Sequence, residues 1–277
     1  MNNNNKKSKK NCYRLTALFL CFYLTTACSN VKQTVENYVY DIPLVNFNNC
    51  YEAGQYGFQT ITAVVGVETV RFYLKVKPEA TATLIHFHGN ADSACYALGQ
   101  TQAGFDPTDR LNLVYVEYPG YSGDSTKPNE VLLLNNAEAI YQKIATDFSL
   151  PIIITGHSVG ANIGTWVAKN TPVDGLVLIS SFPDMQVLAN ILFPGVTVDL
   201  NFHLYSASSW APFVLAPVLV IAPQNDQIVP VLASNWLWAE FNSTNAEFLV
   251  IPQADHNSVM LSPELYSEVN LFIDSIL

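Results

Sequence analysis

Short apolar runs alternate with longer stretches of helical period through most of this chain. Thr83 to Phe87, Leu113 to Val116, Ile152 to Thr155, Leu176 to Ile179, Val218 to Ile221 and Phe248 to Ile251 are mostly unbroken apolar segments. Continuous hydrophobicity, without polar alternation, predicts strands buried on both faces, as in a parallel sheet covered by helices. Helical stretches are expected at about 92–104, 129–147, 159–170, 228–241 and 263–276. In the second, Val131, Leu134, Ala137, Ile140 and Ile144 form one apolar face. The last opens with Ser262 as a candidate N-cap, Pro263 in the first helical position and Glu264 in the first turn, while Leu265 rules out a capping box.

Ahead of this series, Phe58 to Val65 and Glu68 to Val76 are β-rich and separated by Gly66, which reads as a hairpin ended by Pro78. The expectation is an α/β fold: a three-layer, doubly wound, mostly parallel sheet with two leading antiparallel strands. Residues 182–217 break the rhythm and are long for a plain connection. In a doubly wound fold they leave the carboxyl edge of the sheet, where ligands bind, so they are read as a small cap or specificity loop.

Of the 277 residues, 49% are apolar, enough for one substantial core. Five of the 13 basic residues, Lys6, Lys7, Lys9, Lys10 and Arg14, precede an uncharged apolar run from Leu15 to Ala27. That length suits a secretory leader and falls short of a membrane span. The organisation expected is a signal peptide at 1–27, a tether and irregular start at 28–50, and a catalytic domain at 51–277. Without the leader, 23 acidic residues face 8 basic ones, and the formal charge moves from −10 to −15. Such a surface repels phosphate backbones, so no nucleic-acid partner is expected.

The segment Leu24-Thr25-Thr26-Ala27-Cys28-Ser29 resembles a bacterial lipoprotein signal, with Thr25 where an aliphatic residue is usual. The resemblance implies acyl chains on Cys28 and attachment to a membrane of the cell envelope, the outer membrane included. Ordinary secretion to the periplasm or medium, a retained N-terminal anchor and a misread leader are the other readings. Cys50 and Cys95 remain, either as a bridge, which an exported chain can keep, or as two separate buried thiols.

The strongest chemical signal is Ile152-Ile153-Ile154-Thr155-Gly156-His157-Ser158-Val159-Gly160, a strand running into G-x-S-x-G and then a helix. A nucleophilic serine needs a sharp, strained turn that lifts its hydroxyl above the sheet, and Gly156 and Gly160 leave room where strand and helix nearly touch. An alcohol also needs a base, and His256 follows the last expected strand on the same edge. The imidazole in turn needs a carboxylate, and Asp226 follows the strand before it. Asp255 and Asp184 are weaker substitutes. Oxyanion donors are assigned to the backbone N–H groups of Val159 and Asn90, with Ala91 as the alternative if the His88-Gly89 turn is registered one residue later. His86 and His88 alternate along a strand without a third ligand at a matching spacing, so neither a metal nor any other cofactor is expected.

Together, His88-Gly89-Asn90-Ala91, Tyr118-Pro119-Gly120-Tyr121-Ser122-Gly123-Asp124-Ser125 and the serine turn resemble the α/β-hydrolase superfamily, from Phe58 to Leu277. Within it they resemble the serine hydrolases that include monoacylglycerol and lysophospholipid lipases, depalmitoylating thioesterases and peptidase-like members. The acid-bearing segment Ala222-Pro223-Gln224-Asn225-Asp226 departs from the family's pattern, lacking its His-Gly. The resemblance implies hydrolysis of small acylated or lipid-like substrates, esters or thioesters before amides. Phe182, Leu192 and Trp210 in the cap suit an acyl or aromatic group, or form the cap's own packing. A silent binding protein of the envelope that keeps the scaffold without turnover is one rival class; a structural envelope protein is another, and it would take no label at Ser158.

Overall fold

The computed structural model describes Tyr40 and residues 49–90, 92–121, 123, 125–194, 204–242, 244 and 246–277. The expected signal peptide, Cys28 and most of the tether lie outside the described residues, as does Ala91. The chain divides into two units, Met1–Val39 and Tyr40–Leu277, and the second holds everything described below.

Among the described residues, eight strands form one sheet in the order β1-β2-β4-β3-β5-β6-β7-β8. Strands β1 (Gln59–Val65) and β2 (Glu68–Lys75) are the expected hairpin, with Val65 opposite Glu68 across Gly66-Val67. Gly66 has a φ of 61°, a left-handed conformation that glycine adopts without penalty. β2 pairs antiparallel with β4 (Leu111–Glu117). From β4 onward every pairing is parallel, through β3 (Ala82–Phe87), β5 (Ile152–His157), β6 (Gly175–Ile179), β7 (Val218–Pro223) and β8 (Ala246–Ile251). The mostly parallel, doubly wound sheet read from the sequence is the one observed.

Every residue of β3, β4, β5, β6 and β7 is buried, as unbroken apolar runs require. The expectation fails for β8, in which only Ile251 is buried. Among the described residues this strand ends the sheet and pairs with β7 alone, so an apolar run there does not imply cover on both faces.

The helices are α1 (Tyr51–Gln55), α2 (Ala94–Phe105), α3 (Glu130–Asp147), α4 (Val159–Asn170), α5 (Met185–Leu192), α6 (Ala207–Trp210), α7 (Val231–Trp238) and α8 (Pro263–Ile276). Ser93 and Asn129 cap α2 and α3 by accepting from Tyr96 N and Leu132 N. The buried stripe of α3 is Leu133, Leu134, Ala137, Ile140, Tyr141 and Ile144, and Val131 is excluded from it, 65% exposed. Repeated steps of three residues lag behind a 3.6-residue turn, so Val131 has rotated off the face. Ser262 stands at the N-cap of α8, but its side chain makes no capping bond there.

Helix α7 begins at Val231, later than the expected start at 228. Asp226 Oδ1 accepts from the N–H groups of Ile228 and Val229 at 2.9 and 2.7 Å, so these residues are held in a side-chain-closed turn. Pro230 then stands at the N-cap. Between β6 and β7 the chain forms α5, α6 and a short 3-10 turn, Ala211–Phe213, which make up the cap-like insertion.

Cys50 and Cys95 are joined in a disulfide with their Cα atoms 5.7 Å apart. This resolves the open choice between a bridge and separate thiols, and fastens α1 to the first turn of α2.

Candidate active site

At the exit of β5 the chain reverses directly into α4, and Ser158 takes the reversal with φ 56° and ψ −121°. A non-glycine residue in this region stores backbone strain that surrounding contacts must hold. Here the Ser158 N–H donates to the Ile179 carbonyl at 2.8 Å. The two glycines are steric necessities, since a Cβ on Gly156 would overlap the backbone of Gly160, and one on Gly160 would overlap the carbonyl oxygens of Phe87 and His88. Although Ser158 occupies the N-cap position, its hydroxyl makes no capping bond.

His256 lies past β8, and its Nδ1 is 2.7 Å from Asp226 Oδ2. The Asp226 side chain is fully buried and that of His256 is 10% exposed. With Nδ1 engaged, Nε2 is the nitrogen available to exchange a proton. Burial opposes ionisation of Asp226, but the hydrogen bond and charge of His256, with the N–H groups of Val229 and Ile228, outweigh it. They hold the carboxyl below its ordinary range. Two backbone bonds, Gln224 N to Ile251 O and Asn225 N to Ala254 O, both 2.9 Å, fasten the loop of Asp226 to the loop of His256.

The substitute acids have other duties. Asp184 caps α5 by accepting from Val187 N at 2.7 Å. Exposed Asp255 accepts from Asn257 N and Ser258 N within its own turn. The two strand histidines are engaged with protein groups, His86 Nδ1 with Thr155 Oγ1 at 2.9 Å and His88 Nδ1 with Gly89 O at 2.8 Å. Cys50, Glu52 and Cys95 come close enough to suit a cation, but the disulfide takes up both sulfurs.

Val159 opens α4, where the first N–H groups of a helix have no partner within it. Asn90 lies in the turn after β3, against which Gly160 packs, so both expected oxyanion donors belong to touching segments. Tyr118 braces that turn by donating to His88 O at 2.8 Å, its ring 4.1 Å from the His88 ring.

Of the cap residues named from the sequence, Phe182 and Trp210 are buried and Leu192 is half-buried. Trp210 packs edge-on against Trp166 of α4 at 5.2 Å. Asn162 of α4 ties the cap down, donating to Phe182 O and Tyr205 O at 2.8 and 3.0 Å and accepting from Phe182 N at 3.3 Å. Sequence reasoning missed Asn162, although a buried amide among apolar helix positions carries the signal that it must find partners. It also missed the contacts of His157, whose Nε2 is 2.8 Å from the His256 carbonyl.

No protein-family model matches the chain. Over 203 residues it is 29% identical to alpha/beta hydrolase domain-containing protein aho-3 of Caenorhabditis elegans, an alignment covering 71% of this chain and 59% of that protein. The chain thus spans less than two thirds of that relative. A putative lipase, lip1, of Acinetobacter baumannii superposes with a TM-score of 0.64 at 18% identity, covering 84% of this chain and 97% of that one. Est1E of Butyrivibrio proteoclasticus with bound ferulic acid gives 0.63 at 16% identity, covering 78% and 98%. Strand order, serine turn and these likenesses agree: the chain has an α/β-hydrolase fold resembling those of lipase- and esterase-like hydrolases.

Proposed function

We propose that the chain is a serine hydrolase cleaving carboxylic ester or thioester bonds of acyl substrates. The observation that carries this reading is the buried 2.7 Å pair of His256 Nδ1 and Asp226 Oδ2, joined to a strained serine turn through the His256 carbonyl. Ser158 Oγ attacks the substrate carbonyl while His256 Nε2 takes its proton. Asp226 holds the ring's tautomer and balances the imidazolium. The tetrahedral oxyanion is received by the N–H groups of Val159 and Asn90, each contributing on the order of 3 kcal/mol. His256 then passes its proton to the leaving alcohol or thiol, and the acyl group stays on Ser158. Water, deprotonated by the same nitrogen, releases the acid and restores the serine. None of these steps requires a cofactor. The likeness to a putative lipase and to Est1E with ferulic acid bound favours esters among the substrates.

From the leader-like N-terminal segment we further propose that the chain belongs to the bacterial envelope, with residues 1–27 as a removed leader, 28–50 as a tether, Cys28 as the acylated anchor and 51–277 as the hydrolase domain. The Cys50–Cys95 disulfide supports an oxidising compartment. A mature N-terminus whose mass shows unmodified Cys28 would reject the anchor.

The test of the reaction is Ser158→Ala. Hydrolysis of p-nitrophenyl butyrate should fall on the order of 10⁶-fold, and labelling by a fluorophosphonate should cease. Hydrolysis at the wild-type rate in this variant would overturn the mechanism.

A further inference from the structure

The residue before the serine carries an imidazole that bonds the segment of His256. His157 is buried, and its Nε2 lies 2.8 Å from the backbone carbonyl of His256. A carbonyl oxygen only accepts, so Nε2 bears the hydrogen and Nδ1 is the bare nitrogen of the neutral ring. Nδ1 faces the oxyanion turn, where a Cβ on Gly89 would stand 3.0 Å from it. The rings of His157 and His256 lie 4.8 Å apart, tilted by 41°. One side chain therefore spans the gap between the base loop and the Gly89 turn, while its own backbone leads into Ser158.

We propose that His157 is a positioning residue: its bond to the His256 carbonyl fixes the base loop at the serine turn, and its ring spaces that loop from the oxyanion turn. This rests on the serine-hydrolase reading above. The base loop is fastened to the acid loop by Gln224 N and Asn225 N, which set His256 against Asp226. Those bonds leave its approach to the serine turn unset, and among the described residues the hydrogen bond joining base loop to serine turn is that of His157. Burial, then the nearby His256 charge, draw the His157 pKa down to about 3. The ring stays neutral near pH 7 and adds no charge beside His256 when that imidazole is protonated in the transition state.

The test compares three variants. His157→Phe keeps a ring without the donor, His157→Gln places an amide N–H near the position of Nε2, and His157→Asn falls short of it. In H157F, kcat for p-nitrophenyl butyrate should drop about 10- to 100-fold with KM changed less than about threefold, because a small misplacement of the base costs rate more than binding. The far-downfield proton resonance of the His256 Nδ1–H bonded to Asp226 should broaden or shift in H157F and persist in H157Q. H157Q should recover most of the rate, and H157N should not. Wild-type kcat and an unshifted resonance in H157F would overturn the proposal; should H157F fail to fold, equal rates in H157Q and H157N would do so. If the wild-type chain hydrolyses no ester, the reaction reading fails by itself, while the resonance still reports whether His157 holds the base.

Discussion

The Phe87 carbonyl oxygen occupies the space into which a Cβ on Gly160 would project. The end of β3 and the first turn of α4 therefore meet backbone to backbone, and this contact seats the turn that carries Asn90 beside Ser158. Gly160→Ala must force them apart. Overpacking of this kind costs about 1–3 kcal/mol, so the urea midpoint should fall and fluorophosphonate labelling should slow. A variant with the wild-type midpoint and labelling rate would show that the contact can relax.

Asp226 and Asp255 are separated functionally by what their oxygens touch. Asp226→Asn leaves an amide opposite His256 Nδ1 and removes the balancing charge, so kcat should fall on the order of 10⁴-fold with the fold retained. Asp255→Asn keeps the Oδ1 that accepts from Asn257 N and Ser258 N, and should stay within about threefold of wild type in kcat/KM. Ester hydrolysis by the two variants decides between them; the reverse ranking would move the acid to Asp255.

These residues also show where sequence stops informing. Strands β3 to β7 are legible because burial on both faces leaves one-letter evidence, and the placing of Ser158, Asp226 and His256 at one edge of the sheet because each follows an apolar run in its parallel part. Edge strand β8 has the same apolar letters with less cover, so burial does not follow from them. The start of α7 is displaced because Asp226, read as a catalytic acid, also closes a turn over Ile228 and Val229. His157, Asn162 and the Cys50–Cys95 bridge depend on distances between segments far apart in the chain, and no local period encodes those.

Asn162 is the fastening between α4 and the cap. Its amide donates to two carbonyls and accepts from Phe182 N, all buried, so Asn162→Leu leaves those backbone groups without these bonds. An unsatisfied buried group costs about 1–3 kcal/mol, and the loss should appear in the urea midpoint. Because Phe182 begins the cap, KM for longer acyl esters should rise as well. An unchanged midpoint would show that the cap is held by other contacts.

The disulfide spans a sequence separation of 45 residues. Closing a loop of that length restricts the unfolded chain, and removing it by Cys50→Ser with Cys95→Ser should cost about 2–4 kcal/mol. For a domain of this size, the melting temperature should fall by roughly 5–10 °C, and adding a dithiol to the wild-type chain should reproduce the drop. Calorimetry of the oxidised and reduced chain gives the answer, and coincident melting curves would contradict it.

Acid sensitivity should come from histidines buried without charge. Burial above all draws His157 down to about 3 and His88 to about 4, and His86 well below its ordinary value. As pH falls below about 6.5, the unfolded chain gains protons at these rings and the folded chain does not, so stability declines. Each ring contributes up to about 1.4 kcal/mol per pH unit until its folded pKa is reached. Asp92 acts with the opposite sign: burial raises its carboxyl to about 6, so between there and its ordinary value the folded chain takes up a proton first. Asp226 has its carboxyl held low in the fold and adds its own loss only below the ordinary carboxylate range. Three rings outweigh one carboxyl, so urea midpoints should decrease steadily from about pH 7 to about pH 5, with a net slope near two protons. A midpoint that stays level across that interval would mean that the rings take up protons inside the folded domain.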